Sequence, residues 1–419
     1  MSAPLVALVG RPNVGKSTLF NRFVESRTAI VAEEPGTTRD RVYGRAEWQG
    51  RALTFVDTGG LVMWGGDDLT DRIREQAELA MAEADAVLFL VDLKEGLTGA
   101  DSDIADRLRR SDVPVILVDN KADNTELRLA AAEFYGLGVG DPQLVSALHG
   151  TGTGDLLDQL IAMLPEMADD VPEGPRLAIV GRPNVGKSTL LNALLKEERA
   201  IVDETPGTTR DALDTPIVWQ NETLTLIDTA GIRRRGRVAP GVERYSVLRA
   251  LRAIGRANVA LLLIDASEGL TAQDAHIAGF ALEEGAGLVL VVNKWDLVKG
   301  EARDEEGWRA GIRRGLRFFP HAPVVFTSAL TAQGVDRVVE EGLAVCRERL
   351  LQVDPAQLNE LLHDAVARHP PSGRGRPLRF FGASQKGVDP PAFAFYVNDP
   401  RRIHFSYRRY LENRLRERF

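Results

Sequence analysis

Short apolar runs alternate with amphipathic, helix-like stretches along most of the chain. Apolar runs that are bounded by turn residues and separated by helical patterns are typical of βαβ units, which build a mainly parallel sheet. The runs form two sets: 5–9, 53–56, 86–91, 113–118 and 143–145, then 177–180, 223–227, 259–264, 287–292 and 322–326. The pattern therefore predicts an α/β fold class with helices on both faces of each of two sheets.

The chain also contains a long internal repeat. The segment GRPNVGKSTLFN from Gly10 returns as GRPNVGKSTLLN from Gly181, an offset of 171 residues. Four further motifs follow in the same order in both copies: PGTTRD, DTGG or DTAG, NKAD or NKWD, and SAL. A period this long indicates duplicated whole domains, because solenoid repeats run at about 20 to 50 residues.

A polar stretch separates the two copies, and a short unit follows the second. The stretch MADDVPEGP has two prolines, one glycine and three acidic residues, which is typical of a linker. The final unit is too short to be a third copy. We predict a first domain at 1–166, a linker at 167–175, a second domain at 176–350 and a C-terminal domain at 351–419.

Composition narrows the classes of protein that remain. Hydrophobic residues make up 44% and charged residues 27% of the chain, as in folded globular proteins. No apolar run reaches the roughly 18 residues of a membrane span, and no leader pattern is present, so we expect a cytoplasmic protein. Cys346 is the only cysteine, which excludes an intramolecular disulfide and a cysteine-based zinc site. Residues 354–419 carry a net charge of +5 within a chain of −8, so the C-terminal end is basic.

The first repeated motif satisfies the Walker A pattern in both copies. Its glycines let backbone N–H groups converge on phosphates, and the following helix adds the positive end of its dipole. Lys16 and Lys187 supply a point charge to the phosphates. The DTGG and DTAG motifs each close a strand, where a carboxylate can hold a magnesium ion through water. The predicted magnesium ligands are Ser17, Thr38 and Asp57 in the first copy and Ser188, Thr209 and Asp228 in the second. Thr37 and Thr208 compete with their neighbours for this role.

The NKAD and NKWD motifs indicate guanine rather than adenine. Asp123 and Asp296 can each accept hydrogen bonds from guanine N1–H and its 2-amino group, and adenine offers neither donor. A buried carboxylate left unpaired rejects the wrong base by a large factor. The SA dipeptides at 146–147 and 328–329 would present a backbone N–H to the guanine oxygen.

The residue that follows DTGG or DTAG is Leu61 or Ile232, and neither can orient water as the glutamine of the best-known small GTPases does. Asn13 and Asn184 lie in the P-loops, where a side-chain oxygen could bind K⁺ against the phosphates and lower the barrier electrostatically. The alternative is that both are turn residues. The catalytic candidates are therefore Lys16, Lys187, Asn13, Asn184, Thr38 and Thr209.

The predicted nucleotide-binding positions are the residues of the repeated motifs. In the first copy they are Gly10, Arg11, Pro12, Asn13, Val14, Gly15, Lys16, Ser17, Asp57, Thr58, Gly59, Gly60, Leu61, Asn120, Lys121, Ala122, Asp123, Ser146 and Ala147. In the second they are Gly181, Arg182, Pro183, Asn184, Val185, Gly186, Lys187, Ser188, Asp228, Thr229, Ala230, Gly231, Ile232, Asn293, Lys294, Trp295, Asp296, Ser328 and Ala329.

These motifs, in two sets and followed by a small terminal unit, resemble the Der (EngA) family of tandem GTPases. The resemblance covers nearly the whole chain and extends to PPAFAFYVNDP and SYRRYLENRLRERF near the C-terminus. It implies two tandem P-loop GTPase domains plus a small C-terminal α+β KH-like domain, GTP or GDP, Mg²⁺, stimulation by K⁺, and association with the large (50S) ribosomal subunit or its precursor. We expect a monomer.

The C-terminal unit differs from KH modules in a feature that contacts RNA. KH modules clamp RNA with a GxxG loop, and residues 354–419 contain no GxxG. Seven arginines could still contact rRNA phosphates, or form only a solvated or docked basic face. They are Arg374, Arg376, Arg379, Arg401, Arg402, Arg408 and Arg409.

Three further alternatives stay open. Arg233, Arg234, Arg235 and Arg237 could act as an arginine finger, contact RNA or belong to a solvated loop. The whole chain could serve RNA modification, although no additional chemistry domain is visible. A binding module without hydrolysis is the third reading, and the intact Walker lysines oppose it.

Overall fold

The computed structural model describes residues 3–25, 43–59, 78, 80–81, 83–123, 131–164, 174–196, 200–202, 214–229, 232, 245–300, 303–371 and 378–419. The chain forms two compact units. One comprises Met1–Val171 with Arg237–Gly255, and the other comprises Pro172–Gly236 with Arg256–Phe419. Among the described residues, no helix combines the length and the hydropathy that a bilayer crossing requires.

The first unit is built on a six-stranded sheet. Its strands are β1 Leu5–Val9, β2 Tyr43–Trp48, β3 Arg51–Asp57, β4 Ala86–Asp92, β5 Val115–Asn120 and β6 Gln143–Leu144. They lie in the order β2-β3-β1-β4-β5-β6, and all pairs are parallel except β2 with β3. The first copy supplies helices α1 Lys16–Glu25, α2 Gly99–Leu108 and α3 Thr153–Met163, and a 3₁₀ turn at Ala131–Leu137.

Both faces of this sheet are buried. Because side chains alternate along a strand, Val6 and Leu8 of β1 pack with Phe20 on one face, and Ala7 and Val9 pack on the other. Strands that are apolar on both faces need a helical layer on each side. The two core clusters therefore account for the continuous apolar runs of the sequence.

The second copy repeats this plan with one more strand. Its sheet contains β7 Arg176–Gly181, β8 Ala200–Val202, β9 Thr215–Trp219, β10 Glu222–Ile227, β11 Val259–Asp265, β12 Gly287–Asn293 and β13 Val324–Phe326. The order is β13-β12-β11-β7-β10-β9-β8, with antiparallel pairing only at the β10-β9-β8 edge. The helices are α4 Lys187–Lys196, α5 Tyr245–Arg256, α6 Ala272–Glu283, α7 Glu305–Gly315 and α8 Val335–Arg349.

The C-terminal part is a small α+β module. It consists of α9 Pro355–Arg368, the antiparallel strands β14 Phe380–Gly387 and β15 Ala392–Val397, and α10 Phe405–Arg418. Its own core joins Leu358 and Leu362 of α9 to Ala383 of β14 and Leu411 of α10.

The predicted α/β fold class, with two parallel-rich sheets and an α+β tail, is confirmed. All ten apolar runs form strands, with ends that differ by at most two residues. The edge strands β2 and β8, and β9 next to β8, were not predicted. A half-buried strand mixes polar and apolar residues, as the alternating burial of Tyr43–Trp48 illustrates.

Cys346 lies on α8 and packs into the core of the second sheet. Burial raises the pKa of its thiol to about 12, so the side chain stays protonated at neutral pH. A thiol in this state is unreactive, because the thiolate is the nucleophilic form.

Asp119 is a buried carboxylate on β5, and none of the side chains or backbone groups that the structure describes donates a hydrogen bond to it. Leu117, two residues earlier on the same face, belongs to the core cluster that contains Phe134. Burial raises the pKa of Asp119 to about 7, and the carboxylate of Glu133 adds to the effect. The second copy has Val292 at this position of β12.

Replacing Asp119 with valine is expected to stabilise the first unit. The folded pKa of about 7 lies above the ordinary value of 3.8. Burial of this carboxyl therefore costs no ionisation penalty below about pH 4, the free energy of unfolding falls as the pH rises from about 4 to about 7, and the full penalty remains above about pH 7. The variant should gain about 2 to 4 kcal/mol near pH 8 and much less near pH 4.5. Native-state hydrogen exchange of residues 115–120 measures this gain. The reverse change, Val292→Asp, should destabilise β12 most at high pH, and a pH-independent gain for Asp119→Val would contradict the argument.

Candidate functional site

The repeated motifs of each copy meet at one edge of its sheet. In the first copy, β1 ends immediately before Gly10, while β3, β4 and β5 end at Asp57, Asp92 and Asn120. These strands are parallel, so their carboxyl ends lie side by side, which is where open α/β sheets bind ligands.

Asn120 joins three of the motifs through its side-chain amide. Its Nδ2 donates to the carbonyl oxygen of Val14 in the P-loop at 2.7 Å, and its Oδ1 accepts the N–H of Ala147 at 2.9 Å. Gly15 has a φ of +97°, and a Cβ there would lie 2.2 Å from this Nδ2. The P-loop glycine is therefore required both by the backbone conformation and by the approach of the asparagine.

The second copy has the same arrangement. Asn293 donates to the carbonyl oxygen of Val185 at 2.8 Å and accepts the N–H of Ala329 at 3.0 Å. Gly186 again has a left-handed φ, of +100°, and again a Cβ would lie 2.2 Å from the asparagine amide. Two copies with different surroundings thus place the phosphate loop, the NKxD motif and the SA dipeptide together.

The Walker lysines are held against the backbone of their own loops. The Nζ of Lys16 donates to the carbonyl oxygens of Gly10 at 2.6 Å and Arg11 at 2.8 Å. Burial lowers the pKa of Lys16 to about 8, against the opposing charge of Asp57. Lys187 donates in the same way to Gly181 at 2.6 Å and to Arg182. Each ammonium group therefore lies inside the loop that would surround the phosphates.

Two of the predicted magnesium ligands of the first copy are in contact. The hydroxyl of Ser17 donates to Oδ2 of Asp57 at 2.5 Å, and the backbone N–H of Gly59 donates to Oδ1 at 2.9 Å. One hydroxyl and one carboxylate, both from oxygen-bearing side chains beside a phosphate loop, suit a magnesium ion that keeps several waters.

The second copy differs here. Ser188 donates to the carbonyl oxygen of Ile232 at 3.1 Å. Asp228 lies just beyond the end of β10 with a left-handed φ of 55°, and its N–H donates to Oδ1 of Asp214 at 2.9 Å. The two DTxG turns therefore have different local conformations.

The two aspartates that are predicted to recognise the base also differ between the copies. Oδ1 of Asp123 accepts the hydroxyl of Ser146 at 2.7 Å. Hydrogen bonds from Lys94 and then Ser146 hold the pKa of Asp123 below its ordinary value. Asp296 lies in the 3₁₀ turn Trp295–Leu297, and within the described part of the chain no group donates to its carboxylate.

Several predicted site residues make contacts within the protein that hold the motif loops in place. Thr58 is fully buried and donates to the carbonyl oxygen of Leu8 at 2.6 Å. The hydroxyl of Thr229 lies 2.6 Å from that of Thr215. Trp295 is buried against Phe326, with 4.5 Å between ring centroids.

The P-loop asparagines are exposed, and both have left-handed backbones. The φ angles are 66° for Asn13 and 61° for Asn184. Asparagine tolerates this region better than most residues, which agrees with the turn interpretation and leaves the side-chain oxygen available for a cation.

Some predicted positions lie outside the described residues. They are Thr37, Thr38, Thr208, Thr209, Gly60, Leu61, Ala230, Gly231, Arg233, Arg234, Arg235, Arg237, Arg374 and Arg376.

A sixth repeated motif was missed in the sequence. DLKEGLTGAD from Asp92 returns as DASEGLTAQD from Asp265, at the same offset as the NKxD motifs. The carboxylate of Asp92 accepts the ammonium of Lys121, and that of Asp265 accepts Lys294 at 2.5 Å. The first aspartate of the motif thus fixes the lysine of NKxD, and the repeat itself would have revealed it.

The last aspartate of the same motif fixes the P-loop arginine. Nε of Arg11 donates to both oxygens of the fully buried Asp101 at 3.1 Å, and another guanidinium N–H donates to Glu95. Asp101 also accepts the N–H and hydroxyl of Thr98, which completes a capping box at the start of α2.

The second copy repeats this contact. Arg182 donates from Nε to Asp274 at 3.1 and 3.2 Å and from Nη1 to Glu268 at 2.8 Å, and Thr271 forms the capping box. Burial alone would lower the pKa of Arg182, but the bonds to Glu268 and Asp274 outweigh it and raise the pKa above the ordinary value.

Two family models match this chain. One, described as a 50S ribosome-binding GTPase, matches residues 5–121 and again residues 176–294. The other, described as the KH-domain-like C-terminal part of EngA bacterial GTPase enzymes, matches residues 352–419. The two copies and the C-terminal segment are thus matched separately.

Curated relatives match from end to end. A GTPase Der of Herpetosiphon aurantiacus is 50% identical over 100% of this chain and 94% of its own length. Those of Thermomicrobium roseum and Moorella thermoacetica are each 51% identical over 100% of this chain, and 94% and 96% of their lengths are covered. A solved structure of Era with MgGDPNP and 16S ribosomal RNA aligns at 22% identity with a TM-score of 0.33, over 77% of this chain and 99% of that chain.

Proposed function

We propose a function from one premise: this chain belongs to the Der (EngA) family of GTPases. As a member it binds guanine nucleotides and hydrolyses GTP to GDP and phosphate. Beyond this activity, the chain serves as a factor for assembly and stability of the large (50S) ribosomal subunit. Its two nucleotide sites act as switches that decide whether the particle is held or released.

One observation supports the ribosomal role above the others. The family whose description names 50S binding matches both copies, and a KH-like segment follows them in the same chain. An enzyme of RNA modification would need an additional chemistry domain, and the two GTPase copies with the KH-like part account for nearly the whole sequence.

Sedimentation with ribosomal particles tests this role. The full chain is mixed with large subunits and their precursors in GDP and, separately, in a non-hydrolysable GTP analogue. Co-migration with large subunits in one nucleotide state only is the expected result. Equal migration in both states would contradict the switch, and no co-migration in either state would contradict the ribosomal role.

The site residues have the following proposed roles. Lys16 and Lys187 place an ammonium group among the phosphate oxygens, and the P-loop N–H groups and helix dipoles add to its charge. Ser17 and Asp57, with Thr38, would hold Mg²⁺, and Ser188, Asp228 and Thr209 would do so in the second copy. The metal, when bound, neutralises charge on the β- and γ-phosphates.

The base is bound at the other end of each site. Asp123 and Asp296 accept two guanine N–H groups, and the SA dipeptides at 146–147 and 328–329 are proposed to present a backbone N–H to the guanine oxygen. The N–H groups of Ala147 and Ala329 donate to Asn120 and Asn293, so the base would have to share them. The asparagine of each NKxD motif connects the P-loop to the SA dipeptide through two hydrogen bonds, which favours a preorganised pocket.

K⁺ is proposed to bind the side-chain oxygens of Asn13 and Asn184. Hydrolysis should then be faster in KCl than in NaCl by about tenfold or more. Asn13→Gly keeps a residue suited to the left-handed backbone but removes the oxygen, so the K⁺ stimulation of the first site should disappear. Steady-state turnover in the two salts, in a background with the second site disabled, measures both effects. Equal turnover of the wild type in KCl and NaCl would count against the cation.

The C-terminal arginines are proposed to contact rRNA phosphates without a GxxG loop. Arg401 is among the most exposed of them and pairs with Asp399 at 3.2 Å, while Arg408 and Arg409 lie on α10. Titration with rRNA at several salt concentrations tests the contact, because phosphate binding weakens steeply as salt rises. A flat salt response would contradict it.

The domain boundaries stay part of the proposal, at 1–166, 176–350 and 351–419 with a linker at 167–175. The chain is expected to act as a cytoplasmic monomer.

A further inference from the structure

Lys94 of the first copy contacts the carboxylate to which we assign guanine recognition. Its Nζ lies 2.7 Å from Oδ2 of Asp123. The backbone N–H of Lys94 is held by Oδ1 of Asp92 at 2.9 Å, which fixes the loop from which the lysine extends. Since Ser146 donates to Oδ1 of Asp123, both oxygens of this carboxylate have partners within the protein itself.

Guanine requires the same oxygens. Its N1–H and 2-amino group donate side by side, so a carboxylate that recognises it uses both Oδ1 and Oδ2. An N–H of the base that approaches Oδ2 of Asp123 must displace or share the ammonium of Lys94. Guanine can therefore bind at the first site only when the ion pair between Lys94 and Asp123 is broken or weakened.

The second copy lacks this competitor. Ser267 occupies the position of Lys94 in the repeated motif, and its hydroxyl turns back to Oδ1 of Asp265 at 2.6 Å. Within the described part of the chain, Asp296 accepts no hydrogen bond. The motif around this position is otherwise similar, with the same aspartate, glutamate, glycine and threonine. The two base sites thus differ at one side chain of the same loop.

We propose that Lys94 sets the guanine affinity of the first site by competing with the base for the carboxylate of Asp123. The first site consequently binds both GDP and GTP more weakly than it would with the serine of the second copy. Because the competition occurs at the base and not at the phosphates, the two nucleotides are weakened by the same factor. The inference rests on the proposed role of Asp123 in guanine recognition.

The expected size of the effect is modest and depends on salt. Lys94 is half-exposed and Asp123 is partly exposed, and ion pairs of this kind change an equilibrium by at most about fivefold. At about 1 M salt the Debye length falls to about 3 Å, close to the separation of this pair, so the ion pair is weakened. The competition should therefore be larger at low ionic strength than at high ionic strength.

The test exchanges the residues between the two loops. Lys94→Ser and Lys94→Met are made in the full chain. This chain also carries Asp296→Asn, so that only the first site accepts guanine. Binding of GDP and of GTP is measured by calorimetry at low and at high salt. Both variants should bind GDP and GTP about two- to fivefold more tightly at low salt, with a smaller gain at high salt. Ser267→Lys, in a chain carrying Asp123→Asn, should weaken the second site by a similar factor.

Each outcome decides one question. Weaker binding by Lys94→Ser and Lys94→Met would mean that the lysine helps to hold the base, which overturns the proposal. Unchanged binding at low salt would also overturn it. If Asp123→Asn left guanine binding at the first site unchanged, the proposed role of Asp123 would itself be refuted, so failure of the inference and failure of the proposed function are distinguishable.

Discussion

Replacing Asp296 with asparagine is expected to change the second site from a guanosine to a xanthosine site. Asparagine presents one oxygen and one NH₂ group, so its NH₂ would face the 2-amino donor of guanine without an acceptor. Xanthine carries a carbonyl oxygen at that position, which the NH₂ group can satisfy. Because a buried mismatch of this kind is strongly rejected, affinity for GTP should fall by about 100-fold or more, and affinity for XTP should rise.

Calorimetry of the full chain with GDP and with XDP measures this change. The wild type should bind two molecules of GDP, and the Asp296→Asn variant should bind one GDP and one XDP. Asp123→Asn is the matched control, because it should produce the same stoichiometry through the other site. A variant that still binds two GDP with wild-type affinity would show that Asp296 does not read the base.

Replacing Asp274 with alanine is expected to cost the second unit about 3 kcal/mol of stability or more. The Asp274 carboxylate is fully buried and accepts bonds from Arg182 and from the Thr271 cap. Its removal leaves a mostly buried guanidinium without this partner and takes away the carboxylate half of the α6 capping box. Because the carbonyl oxygen of Arg182 also accepts the Walker lysine, affinity for phosphate-bearing ligands should fall as well.

Native-state hydrogen exchange of the helix Ala272–Glu283 reports the stability, and GDP binding reports the P-loop. A paired variant, Arg182→Met with Asp274→Leu, replaces both charges by apolar groups. It should recover much of the stability, because the loss in Asp274→Ala comes from an unbalanced charge. Equal destabilisation by the single and the double variant would contradict the ion-pair explanation.

Much of the fold could be predicted from the sequence, because the central strands are apolar on both faces. Runs such as 259–264 have no competing interpretation once they recur at a fixed offset and end in a motif. The motif loops were predicted for the same reason: a parallel sheet collects the ends of its strands at one edge. The bonds of Asn120 to the P-loop and to Ala147 are the direct consequence.

Other features depend on contacts that strand patterns do not encode. The strands β2 and β9 lack a continuous apolar run, and each pairs with the neighbouring strand that such a run forms. The Arg11–Asp101 contact joins residues 90 positions apart, and only the repeat of its motif gives a sequence signal. A carboxylate at the end of a strand is usually expected to face the site, so burial of Asp119 is not an obvious prediction. The only sequence signal is that the second copy has Val292 at the same position.

The buried thiol of Cys346 has a practical consequence for spectroscopy. Because it is the only cysteine and its pKa is raised to about 12, maleimide dyes should leave the natural chain unlabelled. One cysteine introduced on the surface of each copy would then accept donor and acceptor fluorophores with no background. The spacing of the two GTPase copies could be followed in single molecules while the nucleotides are exchanged, in a protein whose native residues are otherwise intact.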